Sequence, residues 1–97
     1  MAVGIFATLK IQAGKEAEFE AAFAKNQEAV KASEPGCLLY TLCQDKTDST
    51  LYFVMEQYAD QAARDIHGQS DAVKATMGGL GGMLAGAPTL VEFKIVS

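Results

Sequence analysis

The hydrophobic periodicity of this chain switches several times, and the order of the switches limits the fold more than any single motif does. In residues 3–11, Val3, Ile5, Ala7, Leu9 and Ile11 fall on one face and Gly4, Phe6, Thr8 and Lys10 on the other. That period of two is a strand. Gln12-Ala13-Gly14 breaks it, and residues 15–33 are rich in Ala, Glu and Lys with no β-branched run, which predicts a helix. Its apolar stripe is Phe19, Ala22, Phe23 and Val30. Glu16, Glu18 and Glu20 suit the positive end of its dipole. Glu34-Pro35-Gly36 ends it, because a residue before proline avoids the helical region and glycine permits reversal. Residues 37–44 and 51–58 then read as two strands of a hairpin around a polar Asp-, Ser- and Thr-rich turn. Asp60 is a good N-cap for a short helix over residues 61–67, which Gly68 is expected to interrupt. Ser70 or Asp71 caps a further segment, residues 72–77. After a glycine-rich run, Pro88 precedes a last strand over residues 89–96.

The order β-α-β-β-α-β is the ferredoxin-like arrangement. It predicts an α+β fold, with a four-stranded antiparallel sheet and both helices on one face. Val91, Phe93 and Ile95 share one side of the last strand. The sheet face away from the helices therefore also carries apolar residues, and a lone domain cannot cover both faces. At 97 residues the chain is one domain, residues 1–97. A domain of this size buries roughly 60–65% of its unfolded surface, which leaves its stability marginal. Burial against a second copy is the remaining compensation, so a homodimer is expected.

Charge and cysteine content remove several functional classes. With 8 Lys+Arg against 12 Asp+Glu the net charge is −4, and there is no basic run. The expected partners therefore include neither nucleic acid nor an anionic membrane. Residues 75–91 are uncharged, but glycines and a proline break the stretch, so no membrane span is expected. No basic stretch precedes an apolar core near the start, so no signal peptide is expected and the expected location is cytoplasmic. Cys37 and Cys43 fall on one strand. Six residues of strand hold them about 20 Å apart, too far for a bridge. With one histidine in the chain, neither cysteine suggests a metal site, and none is expected.

Few residues offer chemistry. His67 is the sole side chain that titrates near neutrality by default. It reads either as a general base at the edge of an apolar pocket or as a helix-end histidine on the last carbonyls. Asn26 falls on the apolar stripe of the first helix and must find hydrogen-bond partners there. It either bonds nearby backbone or lines a cavity and meets a ligand oxygen. Tyr40, Tyr52 and Tyr58 lie on the hairpin strands and pack with their hydroxyls reaching out. Tyr58 is close enough to the His67 helix to share one pocket mouth with it. Glu56 has the parity of Tyr58 and reads as a solvent-side or interface residue. The glycine run lacks a Gly-Lys-Ser/Thr and is no phosphate loop. It reads either as a lid over an apolar cavity or as a loosely ordered helix end.

The ordered set Lys15 to Phe23 (K-E-A-E-F-E-A-A-F), Glu34-Pro35-Gly36-Cys37, Glu56-Gln57-Tyr58 and His67 resembles the antibiotic biosynthesis monooxygenase family over essentially the whole chain. The resemblance implies a dimeric α+β barrel. It also implies oxidation of a small aromatic or quinol-like substrate by dioxygen, with no metal or flavin cofactor. His67 is then the catalytic base or anion partner. Asn26, Tyr58 and Tyr40 are the substrate-binding residues, with Tyr58 standing where many members have Trp. Glu34-Pro35-Gly36 and residues 56–60 also resemble the branch containing the isomerase that processes phosphorylated autoinducer-2, a phosphorylated dione. Gln27 stands where that branch carries His, and Lys74 is the basic residue on offer for a phosphate. A third alternative is a non-catalytic small-ligand-binding dimer in which His67 only packs.

Overall fold

A computed structural model describes residues 1–69 and 80–97. The elements are β1 (Val3–Lys10), α1 (Glu16–Ser33), β2 (Cys37–Gln44), β3 (Leu51–Tyr58), α2 (Gln61–Gln69) and β4 (Thr89–Lys94). The strands form one sheet of four in the order β2-β3-β1-β4, every neighbouring pair antiparallel. This is the ferredoxin-like α+β fold that the periodicities predict. In each split β-α-β unit the chain skips one strand position, and a strand of the other unit fills the gap.

Register sorts the side chains between two faces. Ile5 lies opposite Glu56 and Glu92, and Ala7 opposite Val54 and Leu90. Tyr40 pairs with Glu56, and Leu42 with Val54. That parity meets the helices. The core is built from Ala7, Leu9, Tyr52 and Val54 of the sheet against Phe19 and Phe23 of α1. Each fully buried side chain of this size contributes about 1.5–3 kcal/mol. The stripe of α1 is buried as expected, and Asn26 is buried within it. The opposite parity is left open: Phe6, Leu39, Met55, Val91 and Phe93 are exposed.

Three local expectations change. Gly68 does not interrupt α2, which runs on to Gln69. A Cβ at Gly68 would lie 2.7 Å from Arg64 Nη1, so the space a side chain would need is filled by the guanidinium of the preceding turn. Ile11 leaves β1 and forms an isolated bridge with Leu84. There the Gln12 amide donates to Met83 O and the Ala85 amide to Lys10 O, both at 2.8 Å. These bonds pin the later part of the glycine run against the sheet, with Leu80 buried beneath it. The last strand stops at Lys94 rather than residue 96. The segment expected over residues 72–77, its caps Ser70 and Asp71, and Lys74 lie outside the described residues.

Cys37 and Cys43 are free thiols. Among the described residues no helix is long and apolar enough to cross a membrane.

The turn after α1 brings the two helices together. Glu34 closes α1 with its amide on Val30 O at 2.8 Å, and the Cys37 amide returns to Glu34 O at 3.0 Å. Asp60 caps α2 by accepting from the Ala63 amide at 2.9 Å. At Gly36 an added Cβ would stand 2.6 Å from the Cβ of Ala63, so only glycine lets the turn pass beneath α2. Gly36→Ala is therefore expected to destabilise the fold by about 1–3 kcal/mol, the usual cost of overpacking. Urea melts check this, and a variant as stable as the parent would disprove the close packing.

Candidate active site

Both ends of the sole imidazole face carboxylates. His67 sits on the inner face of α2 and is 6% exposed. Its Nδ1 lies 2.8 Å from Glu34 Oε1, and its Nε2 lies 3.7 Å from Glu56 Oε1. Glu34 and Glu56 are both buried. An ionised carboxylate only accepts, so toward an ionised Glu34 it is Nδ1 that donates, while Nε2 faces Glu56. Removing a carboxylate from water is costly unless it is paired, and the histidine is the partner that makes Glu34 tolerable. Glu34 Oε2 is buried with no hydrogen-bond partner among the described residues.

Glu56 corrects an expectation. It is not a solvent-side or interface residue, because its parity on β3 is that of Val54 and Tyr58, the helix-covered face. Its Oε1 accepts from the Tyr58 hydroxyl at 2.6 Å. Burial is the main influence on Glu56 and raises its pKa above the ordinary 4.5, against the lowering effects of the Tyr58 hydrogen bond and the charges of His67 and Arg64. Tyr58 is itself raised, first by burial and then by its bond to Glu56.

His67 and Glu56 border a cavity of about 210 Å³. A dry cavity of about 150 Å³ holds benzene, so this one has room for a substituted ring. Ile5, Ala7, Leu9, Phe19, Phe23 and Val54 make its apolar wall. Asn26, Tyr40, Glu56, Arg64 and His67 make its polar end. Leu80, Leu84 and Pro88 also line it, so the part of the glycine run that the structure describes borders the cavity.

Of the residues singled out from sequence, His67, Asn26 and Tyr40 line this cavity. Asn26 lines the cavity, and its Nδ2 donates to a side chain, the Tyr40 hydroxyl, at 2.7 Å. The Tyr40 oxygen accepts that bond, so its own proton is left to point elsewhere. Burial, followed by the charge of Glu56, raises the Tyr40 pKa, which keeps the hydroxyl a donor at neutral pH. The Tyr40 ring stacks on Phe23 with centroids 5.2 Å apart and meets His67 edge-on at 5.1 Å. Tyr58 does not line the cavity. It is fully buried behind the site, its ring 5.2 Å from His67.

Sequence reasoning missed Glu34, Glu56 and Arg64. Glu34 was legible only as a helix stop. Arg64 carried one usable signal, its position three residues before His67, which puts both on one helix face. Among the described residues no three His, Cys, Asp or Glu side chains are placed to hold one metal ion.

The raised pKa of Glu56 fixes the sign of a stability change. A carboxyl whose folded pKa lies above its unfolded value binds extra protons in the folded state, so stability falls as pH rises through that interval. The window opens at the ordinary value of 4.5 and extends upward. Glu56→Gln keeps an acceptor for Tyr58 but cannot ionise. The difference in Tm between the variant and the parent should therefore grow in the variant's favour from pH 4.5 upward. A difference independent of pH would show that Glu56 is not held in an ion-disfavouring site.

The profile of the antibiotic biosynthesis monooxygenase family matches residues 2–79. A protein of known structure from Caulobacter crescentus CB15, named for that family, is 43% identical, with a TM-score of 0.95 over 99% of this chain and 91% of that one. A conserved protein from Methanosarcina mazei Go1 shares the fold at 21% identity, with a TM-score of 0.90 over 97% of this chain and 92% of its own. A Nitrosomonas europaea protein carrying the same family name shares it at 18% identity, with a TM-score of 0.88 over the whole of both chains. No curated protein matches the chain in sequence. With the ferredoxin-like sheet in place and the family profile spanning most of its length, this chain belongs to the antibiotic biosynthesis monooxygenase family.

Proposed function

We propose that the protein is a monooxygenase that binds a small hydroxylated aromatic ring and oxidises it with dioxygen, the substrate anion itself supplying the electrons. The observation that carries this reading is the buried imidazole in the wall of an apolar cavity, with Nδ1 fixed by Glu34. That arrangement presets the tautomer, leaving Nε2 as the basic atom, and a carboxylate behind the ring stabilises the imidazolium once it forms. Nε2 takes the hydroxyl proton of the substrate. The apolar wall keeps water from the resulting phenolate, and the Tyr40 hydroxyl donates to its oxygen. The electron-rich ring then bonds to dioxygen at a ring carbon, and the peroxide so formed recovers the proton from His67. Loss of the hydrogen on that carbon with cleavage of the O–O bond releases water and leaves a carbonyl. One oxygen atom stays on the quinone and the other leaves as water. Tyr58 acts from behind, holding Glu56 rather than touching the ligand.

A second reading has one observation in its favour. Arg64 lines the cavity, and an isomerase of a phosphorylated dione needs such a cation. Its Nε is held by Glu92 at 2.5 Å, however, and Glu56 faces the same space, so a phosphate dianion meets carboxylates there.

The apolar open face carries a proposal of its own. Phe6, Leu39, Met55, Val91 and Phe93 form a patch of a kind that stable monomers seldom leave in water. We propose that a second copy covers it, making the homodimer the working form.

Oxygen uptake with a panel of phenols and naphthoquinols tests the chemistry. His67→Ala should lower turnover by about 10²–10⁴-fold. Glu34→Gln should lower kcat with little change in KM. Uptake unaffected by either change would remove the imidazole from the mechanism, and no uptake with any of these substrates would leave a binding protein. Conversion of a phosphorylated dione without oxygen uptake would select the isomerase instead. Sedimentation should show a dimer at micromolar concentration, and Met55→Lys should shift it toward monomer. A native monomer would refute the covered face.

A further inference from the structure

We infer that Arg64 sets the specificity of this cavity by donating to an uncharged acceptor oxygen of the ligand, apart from the hydroxyl held at His67. The inference rests on the proposed binding of a hydroxylated ring and adds a second anchor to it. Arg64 and His67 both line the cavity, together with Gly68. Residues three apart lie on one helix face, so both side chains reach the polar end of the same cavity.

The guanidinium is only partly used. Nε donates to Glu92 Oε1, and the terminal nitrogens make no hydrogen bond among the described residues. The side chain is 21% exposed and its terminal nitrogens are not sealed from solvent, so a ligand acceptor there takes the place of water. Gly68 makes the placement possible, since a Cβ there would come 2.7 Å from Nη1.

The charge around Arg64 decides which acceptor fits. Glu92 pairs with it directly, and Glu56 lines the same cavity. The positive charge is therefore already matched, while the N–H donors are not. An anionic ligand would gain little net attraction and would approach two carboxylates. A carbonyl oxygen takes the donors without bringing a charge. The ligand class is thus a ring with a hydroxyl at one end and a neutral carbonyl at the other.

Calorimetric titration under nitrogen with para-hydroxyacetophenone, para-ethylphenol and para-hydroxybenzoate tests this without turnover. The parent should bind the ketone about tenfold more tightly than the alkyl phenol, the effect of one hydrogen bond from a charged donor. Arg64→Met should bring that ratio to about one by removing the donors. Glu92→Gln, which unmasks the guanidinium charge, should raise affinity for the benzoate by about tenfold. Glu92→Gln also carries the test if Arg64→Met fails to fold. A ketone preference that survives in Arg64→Met, or a benzoate that binds best to the parent, would overturn the inference. Oxygen uptake is scored separately. A ketone preference without uptake would leave the Arg64 anchor standing and bring down the oxygenase reading, whereas uptake without any preference would do the reverse.

Discussion

A carboxylate cannot be buried beside a sheet without something to hold its charge, and in this fold that something is the imidazole on the other helix. Glu34 belongs to the turn that ends α1, and His67 to the last turn of α2. Their 2.8 Å contact ties two elements that are far apart in sequence and sets the height at which α2 rides over the sheet. Breaking such a pair leaves an unmatched buried charge, whose cost exceeds that of a lost hydrogen bond. The turn itself depends on glycine, since Gly36 passes directly under Ala63. Stability and the placement of the candidate base therefore share one local arrangement.

The cavity follows from the same arrangement. Large side chains of α1 pack on the sheet toward one end, where Phe19 meets Tyr52 with ring centroids 4.8 Å apart. Toward the other end Asn26, rather than another large apolar residue, takes the helix position facing Tyr40. The inner surface there turns polar, and the space between α1, α2 and the sheet is not filled by side chains. Tyr40 is held on three sides, by Phe23, Asn26 and His67. A rigid donor beside a basic nitrogen, backed by a hydrocarbon wall, suits an anion that must be made and kept dry.

Much of the fold was legible in residue order alone. The alternation through residues 3–11 placed β1, and the Phe19, Phe23, Val30 spacing placed the inner face of α1. The hairpin boundaries agreed with the strands found, because polar turn residues bracket both of them. Asn26 was identifiable as an amide on an apolar stripe, and His67 as the sole imidazole. What could not be read was the company that His67 keeps. Glu34 looked like punctuation and Glu56 like surface, since a carboxylate is solvent-facing by default and neither has a neighbour in sequence to suggest a partner. Gly68 looked like a break because its cost in a helix is local, whereas the guanidinium filling its space is contributed by another turn.

The sequence by itself determined the element order, the two-sided sheet and the short inventory of groups able to do chemistry. Those depend on periodicity and residue type, which are local properties of the chain. Only the tertiary structure decided that the histidine stands between two carboxylates, that Tyr58 lies behind the site while Tyr40 faces into it, and that an arginine closes the polar end. These are contacts between elements separated along the chain, as in the 33 positions between Glu34 and His67. Strand register and helix docking fix such contacts, and no local pattern encodes them.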